Sequence, residues 1–219
     1  IKLDLSNNLQ TDAVTGITVS NFTHTSDVLT INLSNSFAKG YRDSITISYH
    51  GVPDNTGFGS FITDVHNGTP IAWSLSEPYG SKDWWPCKNN MQEKADSLDV
   101  YITHPSQYKA ASNGLLQSEV LINNGLKLIT HYKHRYPIAS YLVCFAVTNY
   151  TVFENTIQLG NTNLPMITYC YPESKTLFES RMPLVINAMQ LYNQKFGEYP
   201  FIKEKYGHVQ FNWGGGMEH

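Results

Sequence analysis

The sequence predicts a mainly β protein, an antiparallel sandwich or saddle of sheets followed by one helix and a final strand. In the first two thirds of the chain, short runs alternate apolar and polar residues, and no helical period interrupts them before about residue 170. A single apolar stripe at spacings of three and four follows that β block. The 219 residues are 41% hydrophobic, which is enough apolar material for a sizeable core.

Several runs identify individual strands. The two-residue period of half-buried strands appears in three of them: Leu29, Ile31 and Leu33; Ile45, Ile47 and Tyr49; and Leu98, Val100 and Ile102. Asn124-Gly125 separates two further β-type runs, and we predict a hairpin there because Asn and Gly accept positive φ. The run from Tyr141 to Val147 is apolar without alternation, so we expect a strand covered on both faces in the deepest core.

The helix and the last strand come after Tyr171. The helical stripe consists of Phe178, Met182, Val185, Met189, Tyr192 and Phe196. Pro183 lies inside it and lacks an N–H, which predicts a kink or a break near Arg181. Gly197 and Pro200 end the helix. Val209, Phe211 and Trp213 then alternate with polar residues, which predicts a strand with one apolar and one polar face. This change of pattern suggests a domain boundary near residues 170–174.

Charge and hydropathy exclude two classes of partner. Fifteen Lys and Arg against eighteen Asp and Glu give a net charge of -3, so no basic field favours nucleic-acid binding. The longest apolar run is far shorter than the roughly 20 residues of a membrane span, so we expect no span. Only 15% of residues are charged, which weakly favours a secreted or periplasmic protein.

The cysteines and histidines suggest no metal site of their own. Cys87, Cys144 and Cys170 lie far apart and are odd in number, so we expect buried free thiols. His131 and His134 form an H-x-x-H pattern, but an offset of three in a strand places the two rings on opposite faces. No H-E-x-x-H motif occurs.

The C-terminal run Trp213-Gly214-Gly215-Gly216-Met217-Glu218-His219 carries the clearest chemical signal. Consecutive glycines allow another extended chain to approach the backbone closely, although glycine clusters also mark flexible loops. The segment from Gly215 to His219 resembles the G-x-M-E-N motif of the M1 family of zinc aminopeptidases, the gluzincins.

Further segments match that family in the expected order. They are Glu77 with Trp84-Trp85-Pro86-Cys87, Lys94-Ala95, Leu98-Asp99-Val100, Pro105, Ala111-Ser112-Asn113-Gly114, Ala139-Ser140-Tyr141-Leu142-Val143 and Phe196-Gly197-Glu198-Tyr199-Pro200. Together they cover most of residues 70–219. The resemblance implies an M1-type β-sandwich domain over residues 1–171. It implies that residues 172–219 are the first helix and edge strand of a thermolysin-like α/β catalytic domain, truncated before its zinc site.

The resemblance also implies the roles of individual residues. Glu77 and Glu218 match the acids that hold the α-ammonium of a peptide with a free N-terminus. Gly215 and Gly216, with Met217, match the edge strand that pairs with the substrate backbone. Zinc is the implied cofactor of the full-length enzyme, with ligands downstream of His219, so we expect residues 1–219 alone to be inactive.

Two groups of observations leave alternatives open. The sequence has Leu75 where many family members have Gln, Lys88-Asn89-Asn90 where an acidic, Pro-containing turn is usual, and His219 where the motif has Asn. A non-catalytic M1-like scaffold or peptide-binding module is therefore an alternative. A carbohydrate-binding sandwich with Trp84 and Trp85 as a platform fits the low charge but not the helix and strand that follow.

Overall fold

The computed structural model describes residues 1–219 as seventeen strands, one α-helix and four short 3-10 turns. The strands are β1 Lys2–Asp4, β2 Leu9–Thr15, β3 Val19–Thr25, β4 Val28–Leu33, β5 Thr46–Gly51, β6 Ser60–His66, β7 Thr69–Leu75, β8 Lys94–Ala95, β9 Leu98–Pro105, β10 Lys109–Ser112, β11 Leu115–Ile122, β12 Lys127–His134, β13 Ile138–Ala139, β14 Phe145–Thr148, β15 Thr151–Leu159, β16 Thr162–Cys170 and β17 Tyr206–Val209. The helix α1 is Lys175–Phe196, and the 3-10 turns are Ser81–Asp83, Asn123–Gly125, Ser140–Leu142 and Pro172–Ser174.

The strands form six small sheets. Their strand orders are β1-β4-β3, β2-β5, β10-β14-β7-β6, β11-β12-β9, β13-β8 and β15-β16-β17. Every pairing is antiparallel except that of β16 with β17, which is parallel. A parallel pair needs a crossover, and α1 supplies it. The predicted fold class is therefore confirmed: antiparallel β sheets come first, and one helix and one edge strand follow them.

Three hydrophobic cores hold these sheets together. The N-terminal core packs β1 to β5 around Leu5, Leu29 and Ile31. The central core surrounds Trp73, Leu75, Ala111, Ala146 and three tyrosines, and Phe211, Trp213 and Met217 pack against it. The third core lies between the β15–β16 hairpin and α1, where Ile157, Leu164, Met166 and Met182 are almost completely buried. The central core is the one that positions the candidate site.

The alternating runs all form strands where the sequence predicts them. The runs lie in β4, β5 and β9, which confirms the two-residue period. The predicted hairpin is also confirmed: β11 and β12 pair antiparallel across the Asn123–Gly125 turn. Asn124 and Gly125 there have φ of 52° and 85°, the positive values that favoured these two residue types.

The prediction for Tyr141 to Val147 is wrong in its extent. A 3-10 turn occupies Ser140–Leu142, and only Phe145–Thr148 forms a strand. The side chain of Asn113 explains the difference, because its Nδ2 donates to Leu142 O at 3.0 Å and its Oδ1 accepts from Cys144 N at 2.9 Å. One amide side chain thus takes the place of a strand partner for this stretch of backbone.

The helix is confirmed, but its predicted apolar stripe is buried only in part: Phe178, Met182, Val185 and Met189 pack in the third core, whereas Tyr192 and Phe196 are exposed. Of the kink or break predicted near Arg181, the break does not occur. The helix runs from Lys175 to Phe196 as one element with Pro183 inside it. Met182 is 3% exposed, and Phe178 and Val185 pack in the same core, so both flanking turns are held in place by tertiary contacts. This packing offsets the lost hydrogen bond to residue 179. No helix of the chain combines the length and hydrophobicity that a membrane crossing requires.

The final strand is shorter than predicted. Strand β17 ends at Val209, and Phe211 and Trp213 lie beyond it, although both still contact the central core. The polar residues of this segment explain the early end. Gln210 N still donates to Tyr169 O at 2.9 Å, but Tyr171 N donates to the side-chain Oε1 of Gln210 at 2.9 Å, so a side chain takes the next position of the ladder. The predicted boundary at residues 170–174 falls between β16 and β17, which belong to one sheet, and it stays a prediction.

Candidate substrate-binding site

The turn after β7 places Glu77. Ser76 accepts twice within it: its carbonyl from Gly80 N at 2.8 Å, and its hydroxyl from Trp84 Nε1 at 2.9 Å. The ring of Trp84 is itself half-buried and packs edge-on against Phe145, with 5.6 Å between the ring centroids. Trp84 is therefore a support for this turn.

Glu77 is a buried acid without a hydrogen-bonded side chain. It is 6% exposed, and neither carboxylate oxygen has a hydrogen-bond partner. Burial raises the pKa of Glu77, its own backbone N–H opposes the rise, and the negative charge of Glu218 raises it further. Such a group is poised to accept a cationic ligand, because it has lost water without gaining a partner.

Glu218 comes close to Glu77 through the packing of its neighbour. Met217 is half-buried against the central core, while Glu218 is exposed. Glu218 lies near enough for its charge to affect the pKa of Glu77. This electrostatic effect is the link that the structure gives between the two acids that the sequence singled out.

His219 is a third polar group at this place. Its Nδ1 is 3.2 Å from Glu77 Oε1, but the contact lacks hydrogen-bond geometry. Burial lowers the pKa of His219, while the negative charge of Glu218 raises it. The substitution of His for the motif's Asn thus places a titratable group directly against the buried acid.

The glycine run leaves open space beside these acids. None of Gly214, Gly215 and Gly216 has a positive φ, so any residue could adopt their backbone conformation. A Cβ on Gly216 would meet nothing within 4 Å, whereas a Cβ on Gly215 would lie 2.5 Å from the ring of Trp213. The segment bends at residues 212–215, where Trp213 N donates to Phe211 O and Gly215 N to Trp213 O, and these bends do not depend on a left-handed glycine. What they provide is the absence of side chains, which is what a close approach by another chain needs.

Residues 210–219 are not in a strand, so the direction of the Glu218 side chain cannot be taken from the alternation of a strand. The two-residue period, continued past Trp213, would have put Glu218 on the polar face with Gln210 and Asn212. Because β17 ends at Val209, that periodicity does not apply. The position of Glu218 follows from the packing of Met217 instead.

The other residues that the sequence singled out lie elsewhere. Leu75 is completely buried in the central core, so it offers no polar contact to a cleft. His131 and His134 lie on opposite faces of β12, as predicted, and contact Asp99 and Glu204 respectively. Cys87, Cys144 and Cys170 are free, and Cys87 and Cys170 are buried. No group of three or more His, Cys, Asp or Glu side chains converges within residues 1–219, so these residues do not fit a zinc site.

Sequence reasoning missed a polar cluster next to the glycine run. Asn212, directly before Trp213, contacts Asp64 and His66 from the β6–β7 hairpin and Tyr171 from the end of β16. The one available signal was Asn67-Gly68, a dipeptide typical of two-residue hairpins, which fixes His66 at the end of β6. Nothing in the sequence links that hairpin to Asn212, since 146 positions separate His66 from it.

Residues 2–142 match the family model described as the Peptidase M1 N-terminal domain. The chain belongs to the M1 peptidase family.

Known proteins of the family resemble the chain in sequence and in fold. It is 28% identical over 163 residues to glutamyl aminopeptidase of Rattus norvegicus, covering 73% of this chain and 17% of that protein. It is 30% identical over 109 residues to the Mus musculus enzyme, covering 50% of this chain and 11% of that enzyme.

Among solved structures, the M1 zinc metallopeptidase of Deinococcus radiodurans superposes with a TM-score of 0.75 at 23% identity, covering 94% of this chain and 47% of that one. A variant of it bound to a Tyr-Ser-Ala substrate gives a TM-score of 0.74 at 22% identity, covering 94% and 47%. The chain thus spans about half the length of these structures and less than a fifth of the curated relatives.

Proposed function

We propose that the chain is the N-terminal part of a zinc-dependent aminopeptidase, which removes N-terminal residues from peptides. In this proposal Glu77 and Glu218 hold the α-ammonium of the substrate. The observation that carries it is the pair itself: a buried carboxylate with two unpartnered oxygens, beside a second carboxylate on the glycine-run segment. The glutamyl aminopeptidases and zinc metallopeptidases that resemble the chain support the same class of activity.

The electrostatics of the pair explain why an ammonium is the preferred ligand. Two nearby negative charges repel, and the repulsion contributes to the raised pKa of Glu77. An incoming ammonium relieves that repulsion and provides donors for the empty oxygens. Each charge-assisted hydrogen bond contributes about 1.5–3 kcal/mol.

The same pair rejects internal peptide bonds. A peptide bound in the middle of its chain brings no ammonium to this place, so both carboxylates would stay dehydrated and without a partner. The site therefore selects for an exopeptidase that acts at the amino terminus.

The glycine run provides the second contact with the substrate. Gly216 has no neighbour within 4 Å on the side where a Cβ would project. An extended peptide can therefore approach this backbone and pair with it like an added strand. Met217 packs against the central core, and Gly215 N donates to Trp213 O at 3.1 Å, which keeps the segment in place.

Zinc in this proposal is bound by residues of the full-length enzyme other than 1–219, because no suitable cluster of side chains forms here. We accordingly expect residues 1–219 alone to show no hydrolysis of amino-acid arylamides when zinc is added. Measurable turnover would contradict the location of the ligands.

The experiment that tests the proposal replaces each acid in the full-length enzyme. Glu218→Gln should lower kcat/KM for an amino-acid arylamide about 10- to 100-fold, the effect of losing one charge-assisted bond. Glu154→Gln is the matched control, because Glu154 is an exposed acid on β15 with no hydrogen-bonded side-chain partner. An unchanged kcat/KM in Glu218→Gln would remove Glu218 from the site. Absence of any peptidase activity in the full-length protein would favour the non-catalytic scaffold.

A further inference from the structure

A cluster of five residues joins the β6–β7 hairpin to the segment that carries the glycine run. Asp64 and His66 come from β6, Tyr171 and Glu173 follow β16, and Asn212 lies directly before Trp213. We call this cluster the His66 latch. It is separate from the acid pair, and neither Glu77 nor Glu218 takes part in it.

The orientation of the Asn212 amide is set by its charged neighbour. Its Nδ2 donates to Asp64 Oδ2 at 2.8 Å. A reversed amide would place its oxygen against a carboxylate, which can only accept. Asn212 Oδ1 therefore faces the other side, where it accepts from Tyr171 Oη at 2.6 Å and lies 3.0 Å from His66 Nδ1.

Both nitrogens of His66 consequently face acceptors. Nδ1 faces Asn212 Oδ1, and Nε2 is 2.5 Å from Glu173 Oε1. A neutral imidazole has one N–H and cannot donate to both. Asn67 Nδ2 is also 3.3 Å from Nε2, but it donates to the same Glu173 oxygen at 2.8 Å, and that oxygen lies closer to the ring. Only the doubly protonated imidazolium donates to both acceptors at once.

The surroundings of the ring favour that positive charge. The ring of Tyr171 stacks on His66 with 3.5 Å between centroids and 10° between planes, an arrangement that suits a cation over an aromatic face. The hydrogen bond from His66 keeps the pKa of Glu173 below its usual value. The charged or titratable groups facing His66 are Glu173, Asp64 and Tyr171; at neutral pH the two acids are anionic and none of the three is cationic.

We infer that the ring of His66 is a positioning group for the substrate-binding segment. It links Asn212, and therefore the start of the glycine run, to Glu173 and to the stacked ring of Tyr171. This role rests on the proposed function, since it acts through the segment that is proposed to bind the peptide. Loss of these contacts should loosen residues 210–218 and weaken substrate binding more than turnover.

The test uses the full-length enzyme and two substitutions of opposite expectation. His66→Gln removes the charge, whereas His66→Arg keeps a planar cation with several donors at every accessible pH. His50→Gln is the matched control, because His50 is an exposed histidine that also contacts an acid, Asp12, at 2.8 Å.

The first readout is KM for an amino-acid arylamide at pH 7. His66→Gln should raise KM about 10-fold, with a smaller change in kcat. The control His50→Gln should keep the wild-type KM. His66→Arg should stay closer to the wild type than His66→Gln does, and a KM equal to that of His66→Gln would overturn the inference.

The second readout is hydrogen exchange of residues 210–218 at pH 7, which does not depend on any substrate. His66→Gln should exchange faster there than the wild type, and His66→Arg should not. Unchanged exchange in His66→Gln overturns the latch whatever KM does. Faster exchange without a change in KM overturns its role in binding. Failure of the proposed function appears separately, as an unchanged kcat/KM in Glu218→Gln.

Discussion

Glu77→Gln should stabilise the fold while it weakens the proposed activity. Glu77 is 6% exposed, and both of its oxygens lack hydrogen-bond partners. Burial lowers the pKa of the neighbouring His219, so at pH 7 no positive charge there offsets the buried carboxylate. An unsatisfied buried polar group costs about 1–3 kcal/mol, and more when it is charged. Because the amide of Gln is itself partly unsatisfied, we expect a gain near the low end, about 1 kcal/mol at pH 7. For a chain of this size that is a rise in Tm of about 2–4 °C.

The pH dependence gives the sign of the effect. The pKa of Glu77 is raised by burial, so above its ordinary value of 4.5 the folded state holds this proton more firmly than the unfolded state. Stability therefore falls as pH rises through the window between 4.5 and the folded-state pKa. Gln has no titrating proton at this position. The Tm of Glu77→Gln should therefore exceed the wild-type Tm increasingly as pH rises through that window, and the difference should vanish below it.

The assay is thermal unfolding of residues 1–219 for the wild type, Glu77→Gln and Glu154→Gln from pH 4 to 7.5. The control Glu154→Gln changes an exposed acid, so its Tm should equal the wild-type Tm at every pH. A Tm for Glu77→Gln that equals or falls below the wild-type value at pH 7 would refute the claim that this carboxylate is buried without a partner.

Three further predictions concern neighbouring residues. His219→Asn should flatten the rise of KM on acidification, because a protonated His219 lies 3.2 Å from Glu77 Oε1 and competes with the substrate ammonium; an identical KM profile from pH 5.5 to 7.5 would contradict this. Gly215→Ala should lower Tm, since its Cβ would lie 2.5 Å from the ring of Trp213, and such overpacking costs about 1–3 kcal/mol. Gly216→Ala should leave Tm unchanged and raise KM, and the reverse pattern for the two glycines would disprove the assignment. Burial lowers the pKa of Lys205 to about 8, so unfolding free energy should rise with pH between about 8 and 10.5 relative to Lys205→Met, whereas Lys203→Met, at an exposed lysine, should keep the wild-type slope.

Local patterns in the sequence predicted most of the elements. Alternation in β4, β5 and β9 and the Asn124-Gly125 turn are effects of a few adjacent residues, so they can be recognised without knowledge of the fold. Wrong predictions arose where a distant group overrides local preference. Asn113 bonds to the backbone around Leu142 and Cys144 and replaces a predicted strand by a turn. Packing around Met182 keeps the helix in one piece at Pro183.

In the candidate site, too, some residues were predicted from the sequence and others are brought together only by distant parts of the chain. Glu77 and Glu218 were singled out by their resemblance to family motifs, and the charge of Glu218 raises the pKa of Glu77 in the structure. The contact between His219 and Glu77 and the His66 latch join residues that lie more than a hundred positions apart. Such contacts depend on how sheets and loops pack, so no periodicity in a single sequence reports them.

The most direct test of the two-acid site compares a peptide with its analogue lacking the α-amine. In the full-length enzyme, Glu77→Gln and Glu218→Gln should each weaken binding of the peptide about 10-fold or more, as measured by Kd. Neither substitution should weaken binding of the des-amino analogue. Equal losses for both ligands would show that these acids do not hold the ammonium.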